Sequence, residues 1–134
     1  MNMKDDYIKI NRDDRMAQHL GIRVVEASKG YAKATVDLAP NVLNGVGLAH
    51  GGLIYTLADI AFAAASNTLP DSVVLNAQTC ISYLRPGKVG PLTAEARAVR
   101  EGRLLVTFHV DVHDSEGSLL ATATITGCRT VVER

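Results

Sequence analysis

From Leu53 to Ala65 the chain is almost continuously apolar, interrupted only by Tyr55, Thr56 and Asp59. The run is shorter than the about 20 apolar residues that a membrane span needs. At helical spacing Leu53, Ile54, Leu57, Ala58, Ile60, Ala61, Phe62, Ala64 and Ala65 cover nearly the whole circumference, and a helix apolar on most sides must be buried on most sides. The spacing predicts this helix from His50 or Gly51 to about Asn67. Whatever the rest of the chain forms has to wrap around it.

The remainder reads mainly as strands. Ala32, Ala34, Val36 and Leu38 alternate with Lys33, Thr35 and Asp37 until Pro40, as in a half-buried strand. Val74 to Leu84 is rich in strand-forming residues and closes on Arg85-Pro86-Gly87. Leu92 to Val99 alternates up to a turn at Glu101-Gly102. Val106, Phe108, Val110 and Val112 form one face opposite Thr107, His109, Asp111 and His113, and Ser115-Glu116-Gly117 turns into a last strand from Leu119 to Val132. Three consecutive strands joined by short turns imply an antiparallel meander. Before the strands, Asp13 to Leu20 reads as a short capped helix ending at Gly21. The expected class is α+β, a curved antiparallel sheet wrapped around one long central helix. Such a sheet leaves an edge strand free to pair with a second copy, so a dimer at least is expected.

A length of 134 residues suits one domain spanning 1–134. The formal charge is zero, with 14 basic and 14 acidic residues, which leaves no broad positive field for nucleic acid. The polar start, Met1 to Arg15, has no apolar stretch of the kind a signal peptide carries, and the expected setting is the cytoplasm, away from membranes. Cys80 and Cys128 have no metal-ligand or CxxC spacing and read as small, reduced core or strand residues. His109, His113 and Asp111 share a strand face, but a further strong ligand is not evident, so no metal is expected. His19, near the end of the short helix, suits that helix's dipole.

Asp59 is the outlier of the central helix. Burying an unpaired charge costs several kcal/mol in practice. The carboxylate is therefore either catalytic, or bonded to Tyr55 or Thr56, or turned to a wet interface. Directly before the helix runs Asn44-Gly45-Val46-Gly47-Leu48-Ala49-His50-Gly51-Gly52. The first turn of a helix has free N–H groups and the positive end of the dipole. Gly51 and Gly52 would let a ligand approach closely enough for those groups to act as an oxyanion hole, with the Asn44 amide as a second donor. The plainer alternative is a Gly-rich turn capped by His50. His50 and Asp59, nine residues apart in this sequence, would point in nearly opposite directions and lie roughly 13 Å apart along one helix. A site using both ends therefore implies two subunits, with the Gly51 end of one helix near Asp59 of the other.

These residues resemble the hot-dog-fold acyl-CoA thioesterases of the phenylacetate-degradation type. The match runs from about Leu20 to Arg129, through Asn44-x-x-Gly47-x-x-His50-Gly51-Gly52, Leu57-Ala58-Asp59-x-Ala61-Phe62-Ala63, Asn67 and Tyr83-Leu84-Arg85-Pro86-Gly87. The resemblance implies a hot-dog fold and hydrolysis of a small acyl- or aryl-acyl-CoA, phenylacetyl-type first, with no cofactor beyond the CoA of the substrate. Asp59 matches the nucleophile or general base, the Gly51 N–H the oxyanion donor, Asn44 the residue that positions the carbonyl or water, and His50 a residue that orients the site. Gly52 is placed at the substrate, and Asn76 stands near a position where some relatives use a hydroxyl to hold water. The resemblance also implies a homo-oligomer, at least a dimer and a tetramer as a dimer of dimers. It puts the turns carrying Arg85, Lys88, Arg100, Gly102 and Arg103 near the CoA nucleotide, against the alternative that these are simply solvated turns. Tyr55, Phe62, Leu53 and Leu84 are candidates for the acyl pocket's wall. The competing functions are a non-catalytic acyl-CoA-binding module and a hot-dog hydratase or dehydratase.

Overall fold

The computed structural model describes residues 9–67 and 72–131. The start of the chain before residue 9, and Val132 at the expected end of the last strand, lie outside it. A helical turn at 9–13 precedes α1, Arg15–Leu20. Asp14 caps α1 by accepting from the Ala17 N–H, and Gly21 closes it in the left-handed region at φ 79°. After β1 (Arg23–Ser28) and β2 (Tyr31–Val36) come a 3-10 turn at Pro40–Val42 and the long helix α2, Gly51–Ser66. Strands β3 (Ser72–Tyr83), β4 (Leu92–Glu101), β5 (Leu105–His113) and β6 (Leu119–Val131) follow.

One six-stranded antiparallel sheet results, in the order β1-β2-β4-β5-β6-β3. The expected meander is β4-β5-β6. Strand β3 crosses to the far edge and pairs with β6 along its whole length. Strand β1 was not foreseen, and the reason is local: its register shifts between Val24 and Glu26, leaving Val25 exposed and only Val24 buried. A bulge removes the alternation by which a strand is recognised. A second bulge, between Ala98 and Arg100, lets β4 continue past its alternating part as far as Glu101. Cys80 is an exposed residue of β3 and Cys128 a half-buried one of β6; neither belongs to the apolar core.

The sheet packs around α2 as the apolar circumference requires. Leu53, Ile54, Leu57, Ala58, Ile60, Ala61, Phe62, Ala64 and Ala65 are all buried, against Ala32, Ala34, Ala94, Ala96, Val110 and Ile125 of the strands. Small residues on β2 and β4 let the helix lie close. Within α2 only Gly51, Gly52, Tyr55, Thr56, Asp59 and Ala63 retain exposure. Asn67 then ties the helix end to β3: its amide donates to Ala63 O and Val74 O, and its carbonyl accepts from the Val74 N–H at 2.7 Å. With that pin β3 runs back alongside α2.

Phe62 wedges helix to sheet. Its ring meets Phe108 edge-on at 5.4 Å between centroids and sits over Gly127, where a Cβ would come within 2.6 Å of Phe62 Cζ and of Val74 Cγ1. Phe62 is therefore core, not pocket wall. Phe62→Ala is expected to cost about 3–5 kcal/mol of stability. Gly127→Ala, which overfills the same spot, is expected to cost about 1–3 kcal/mol. Urea midpoints measure both, and a Gly127→Ala midpoint equal to wild type would mean the ring has room to move aside.

Candidate active site

The entry to α2 is a closed loop. Leu43 and Ala49 form a bridge, the Asn44 N–H donates to Leu48 O at 2.7 Å, and the His50 N–H donates to Val42 O. The Asn44 side-chain oxygen accepts from the Val46 and Leu48 N–H groups, each at 3.0 Å. That holds the side chain still and leaves its NH2 with no acceptor among the described residues. His50 is the N-cap: its Nδ1 accepts from the Gly52 N–H at 2.9 Å. A nitrogen that accepts carries no proton, so the neutral ring in this arrangement is protonated on Nε2. The Gly52 N–H is consumed by this bond, whereas the Gly51 N–H has no acceptor among the described residues.

Tyr83, the last residue of β3, donates from its hydroxyl to the Gly51 carbonyl at 2.9 Å. Burial, and then the neighbouring Tyr55, push the Tyr83 hydroxyl above the usual tyrosine value, so it stays a donor at neutral pH. Beyond Tyr83 the chain is laid against the helix entry. Ala49 donates to Gly87 O at 2.9 Å, and a Cβ on Gly87 would come within 2.7 Å of the Ala49 Cβ, so only glycine permits that approach. Between the two segments opens a cleft of about 330 Å³ lined by Asn44, Gly51, Ile54, Tyr83, Leu84 and Arg85, among others. Thus Gly51 and Asn44, each with a donor unused among the described residues, line a common space with one cation, Arg85.

Asp59 belongs to a second group, further along the half-exposed stripe of α2. Its partner is neither Tyr55 nor Thr56. The Thr56 hydroxyl donates to Gly52 O in its own helix, and the Tyr55 hydroxyl reaches Thr79 at 3.4 Å. The carboxylate instead accepts at Oδ1 from Asn76 Nδ2 at 2.9 Å; the opposite amide orientation would set two oxygens against each other. Oδ2 has no partner among the described residues. The Thr79 hydroxyl braces Asn76 by donating to its Oδ1 at 3.0 Å. Thr79 was not anticipated, because residues three apart on a regular strand face opposite sides. A register shift between Asn76 and Gln78 supplies the extra residue that brings both side chains to the helix.

Within one protomer the two groups stay apart. Gly51 and Asp59 lie on one unbroken helix, about 12 Å along the axis from each other. His50 and Gly52 line a different hollow, of about 250 Å³, with Leu53 and Thr56. The expected cations also divide. Arg85 borders the Gly51 cleft and shares a neighbouring hollow with Lys88, Asp114 and Glu116. Arg100 and Arg103 stand at the β4–β5 turn, where the Gly102 N–H is spent on Leu105 O at 2.9 Å. Leu105 is in register with Cys128, and Cys128 with Leu75, so this turn lies at the opposite end of β3 from Tyr83. On the outer sheet face His109 Nε2 contacts Asp111 at 2.9 Å. No cluster of three or more potential metal ligands occurs among the described residues, nor is any described helix long and apolar enough to cross a membrane.

The profile of the Thioesterase superfamily matches residues 46–121, from the glycine-rich loop into β6. The chain belongs to the Thioesterase superfamily. This thioesterase is a thioester hydrolase with the hot-dog fold. It is 34% identical over 110 residues to the acyl-coenzyme A thioesterase PaaI of Escherichia coli, covering 81% of this chain and 78% of that protein. The solved structure of the E. coli PaaI protein from the phenylacetic acid degradation operon superposes with a TM-score of 0.89 at 27% identity, over 96% of this chain and 93% of that one. A Streptococcus mutans protein, smu.793, solved bound to acetyl CoA, matches with a TM-score of 0.77 at 31% identity, over 84% of this chain and 91% of that one.

Proposed function

We propose that this thioesterase hydrolyses acyl-CoA at a site shared between two copies of the chain. The observation that carries this reading is the separation of two half-sites along one helix: donors without acceptors at Gly51 and Asn44, and a braced carboxylate with one free oxygen at Asp59. Strand β3 is a twelve-residue edge flanking both half-sites. An edge presents a row of unpaired backbone groups. Two-fold antiparallel pairing of β3 with a second β3 would set the Gly51 end of each protomer beside the Asp59 end of the other. The thioester oxygen then lies against the Gly51 N–H and the Asn44 amide, while Asp59 attacks the carbonyl carbon or takes the proton of an attacking water. The C–S bond breaks and the thiolate takes up a proton to leave as CoA. On the base route the water oxygen stays on the acyl carbon; on the nucleophile route a water then cleaves the mixed anhydride with Asp59. Either route releases the free acid and restores the carboxylate. A tetramer forms when two such dimers associate.

CoA as the carrier is supported by the relative solved with acetyl CoA and by the E. coli enzyme's name. The phenylacetic acid degradation operon to which the solved E. coli relative belongs makes a phenylacetyl-type thioester the first acyl group to try. Thiol release from phenylacetyl-, hydroxyphenylacetyl-, benzoyl-, hexanoyl- and palmitoyl-CoA tests the function and ranks the acyl groups. Saturable binding without turnover of any of them would instead make the chain a binding module. The four cations separated in one protomer would also draw together across such a pair, Arg85 and Lys88 of one copy with Arg100 and Arg103 of the other. Arg85→Ala combined with Lys88→Ala is expected to raise KM for acyl-CoA by about tenfold, the equivalent of about one charge-assisted hydrogen bond at the weak end of its range, and to change kcat far less. An unchanged KM would take both residues out of the phosphate site.

A further inference from the structure

Among the described peptide units of α2, only Gly51–Gly52 is held by side chains at both of its polar atoms. Tyr83 donates to its carbonyl at 2.9 Å and His50 Nδ1 accepts from its N–H at 2.9 Å. The two holders arrive from different parts of the fold, one from the residue before the helix and the other from the end of β3, 32 positions beyond Gly51. The unit they grip is a diglycine in the first turn, where backbone freedom is greatest and the helix is least able to hold its own geometry. The peptide plane just before it carries the Gly51 N–H, and that plane is held from inside the helix, since His50 O accepts from the Leu53 and Ile54 N–H groups. Fixing the planes on both sides of the Gly51 Cα fixes the direction of the free N–H.

We propose that Tyr83 and His50 act as a pair of positioning residues, clamping the Gly51–Gly52 peptide so that the Gly51 N–H is aimed before substrate arrives. This rests on the reading of Gly51 as oxyanion donor. It gives Tyr83 a role in the reaction and gives His50 one that needs no proton transfer. A preorganised donor lowers the barrier because nothing reorganises as charge develops on the oxygen. The clamp therefore acts on kcat and leaves ground-state binding nearly untouched.

The test measures kcat and KM for the best acyl-CoA in Tyr83→Phe, His50→Ala, His50→Asn and the Tyr83→Phe/His50→Ala double variant. Tyr83→Phe and His50→Ala should each lower kcat about tenfold, a fraction of the 10²–10³ lost with a whole oxyanion donor, with KM within about twofold. His50→Asn should recover most of that loss, because asparagine supplies an N-cap acceptor. The double variant should be little worse than either single one, since both side chains act through one peptide. An unchanged kcat in Tyr83→Phe, multiplied losses in the double variant, or His50→Asn no better than His50→Ala would each overturn the clamp. Hydrogen exchange at the Gly52 N–H, read by NMR, reports on the clamp without catalysis and should accelerate several-fold in Tyr83→Phe. If wild type hydrolyses no acyl-CoA, the functional reading fails, and unchanged Gly52 exchange would separately overturn the clamp.

Discussion

Asp59→Asn is expected to lower kcat about a thousandfold, within the range that a positioned acid–base group contributes, with folding stability nearly unchanged. The two effects separate because of what the carboxylate touches. Asp59 is half-buried and its Oδ1 accepts one bond, from Asn76. An amide oxygen of the same shape accepts that bond too, so packing and hydrogen bonding survive at a cost of about 1 kcal/mol or less. The loss is confined to Oδ2, which is free among the described residues and is the atom available to attack carbon or to take a proton from water. An amide does neither. Thiol release, with a denaturation curve beside it, measures both quantities. A fall of less than tenfold would make Asp59 a structural carboxylate that serves only to hold Asn76 and Thr79.

Gly51→Pro is expected to lower kcat by about 10²–10³, as the loss of an oxyanion donor does. The substitution removes the proposed donor and little else. Gly51 is the first residue of α2, the position where proline fits a helix because its missing N–H has no intrahelical partner. The preceding residue must then be extended, and His50 already is, at φ −64° and ψ 138°. A Cβ at Gly51 meets the Tyr83 ring at 3.6 Å, ordinary contact. Mixing this variant with Asp59→Asn distinguishes a shared site from one built within a chain. In a mixed dimer one site combines the intact Asp59 of one copy with the intact Gly51 of the other, while the second site carries both defects. Random reassortment of a two-fold dimer then restores roughly a quarter of wild-type activity. Sites contained within one chain would regain nothing.

The central helix and its wrapping were legible in the sequence because both depend on residue spacing alone. A run apolar around nearly its whole circumference has to be enclosed, and strands such as β2 and β5, with every second residue buried, announce themselves by alternation. The glycines at the helix entry and the single carboxylate inside it stood out for the same reason: each contradicts its local surroundings. Asn76 was placed near the site by resemblance, but its bond to Asp59 was not foreseen.

What the sequence could not disclose lies where the spacing is interrupted. Bulges hide β1 and turn Thr79 toward the helix on the same side as Asn76, and a bulge leaves no mark in periodicity. Tyr83 reaches the Gly51 carbonyl only because Asn67 pins the start of β3 to the end of α2 and the strand then runs back along it. Local pattern thus determined which residues must be inside and which were chemically out of place. The partners of those residues were decided by tertiary structure, because strand register and bulges set distances between segments that the order of residues along the chain does not contain.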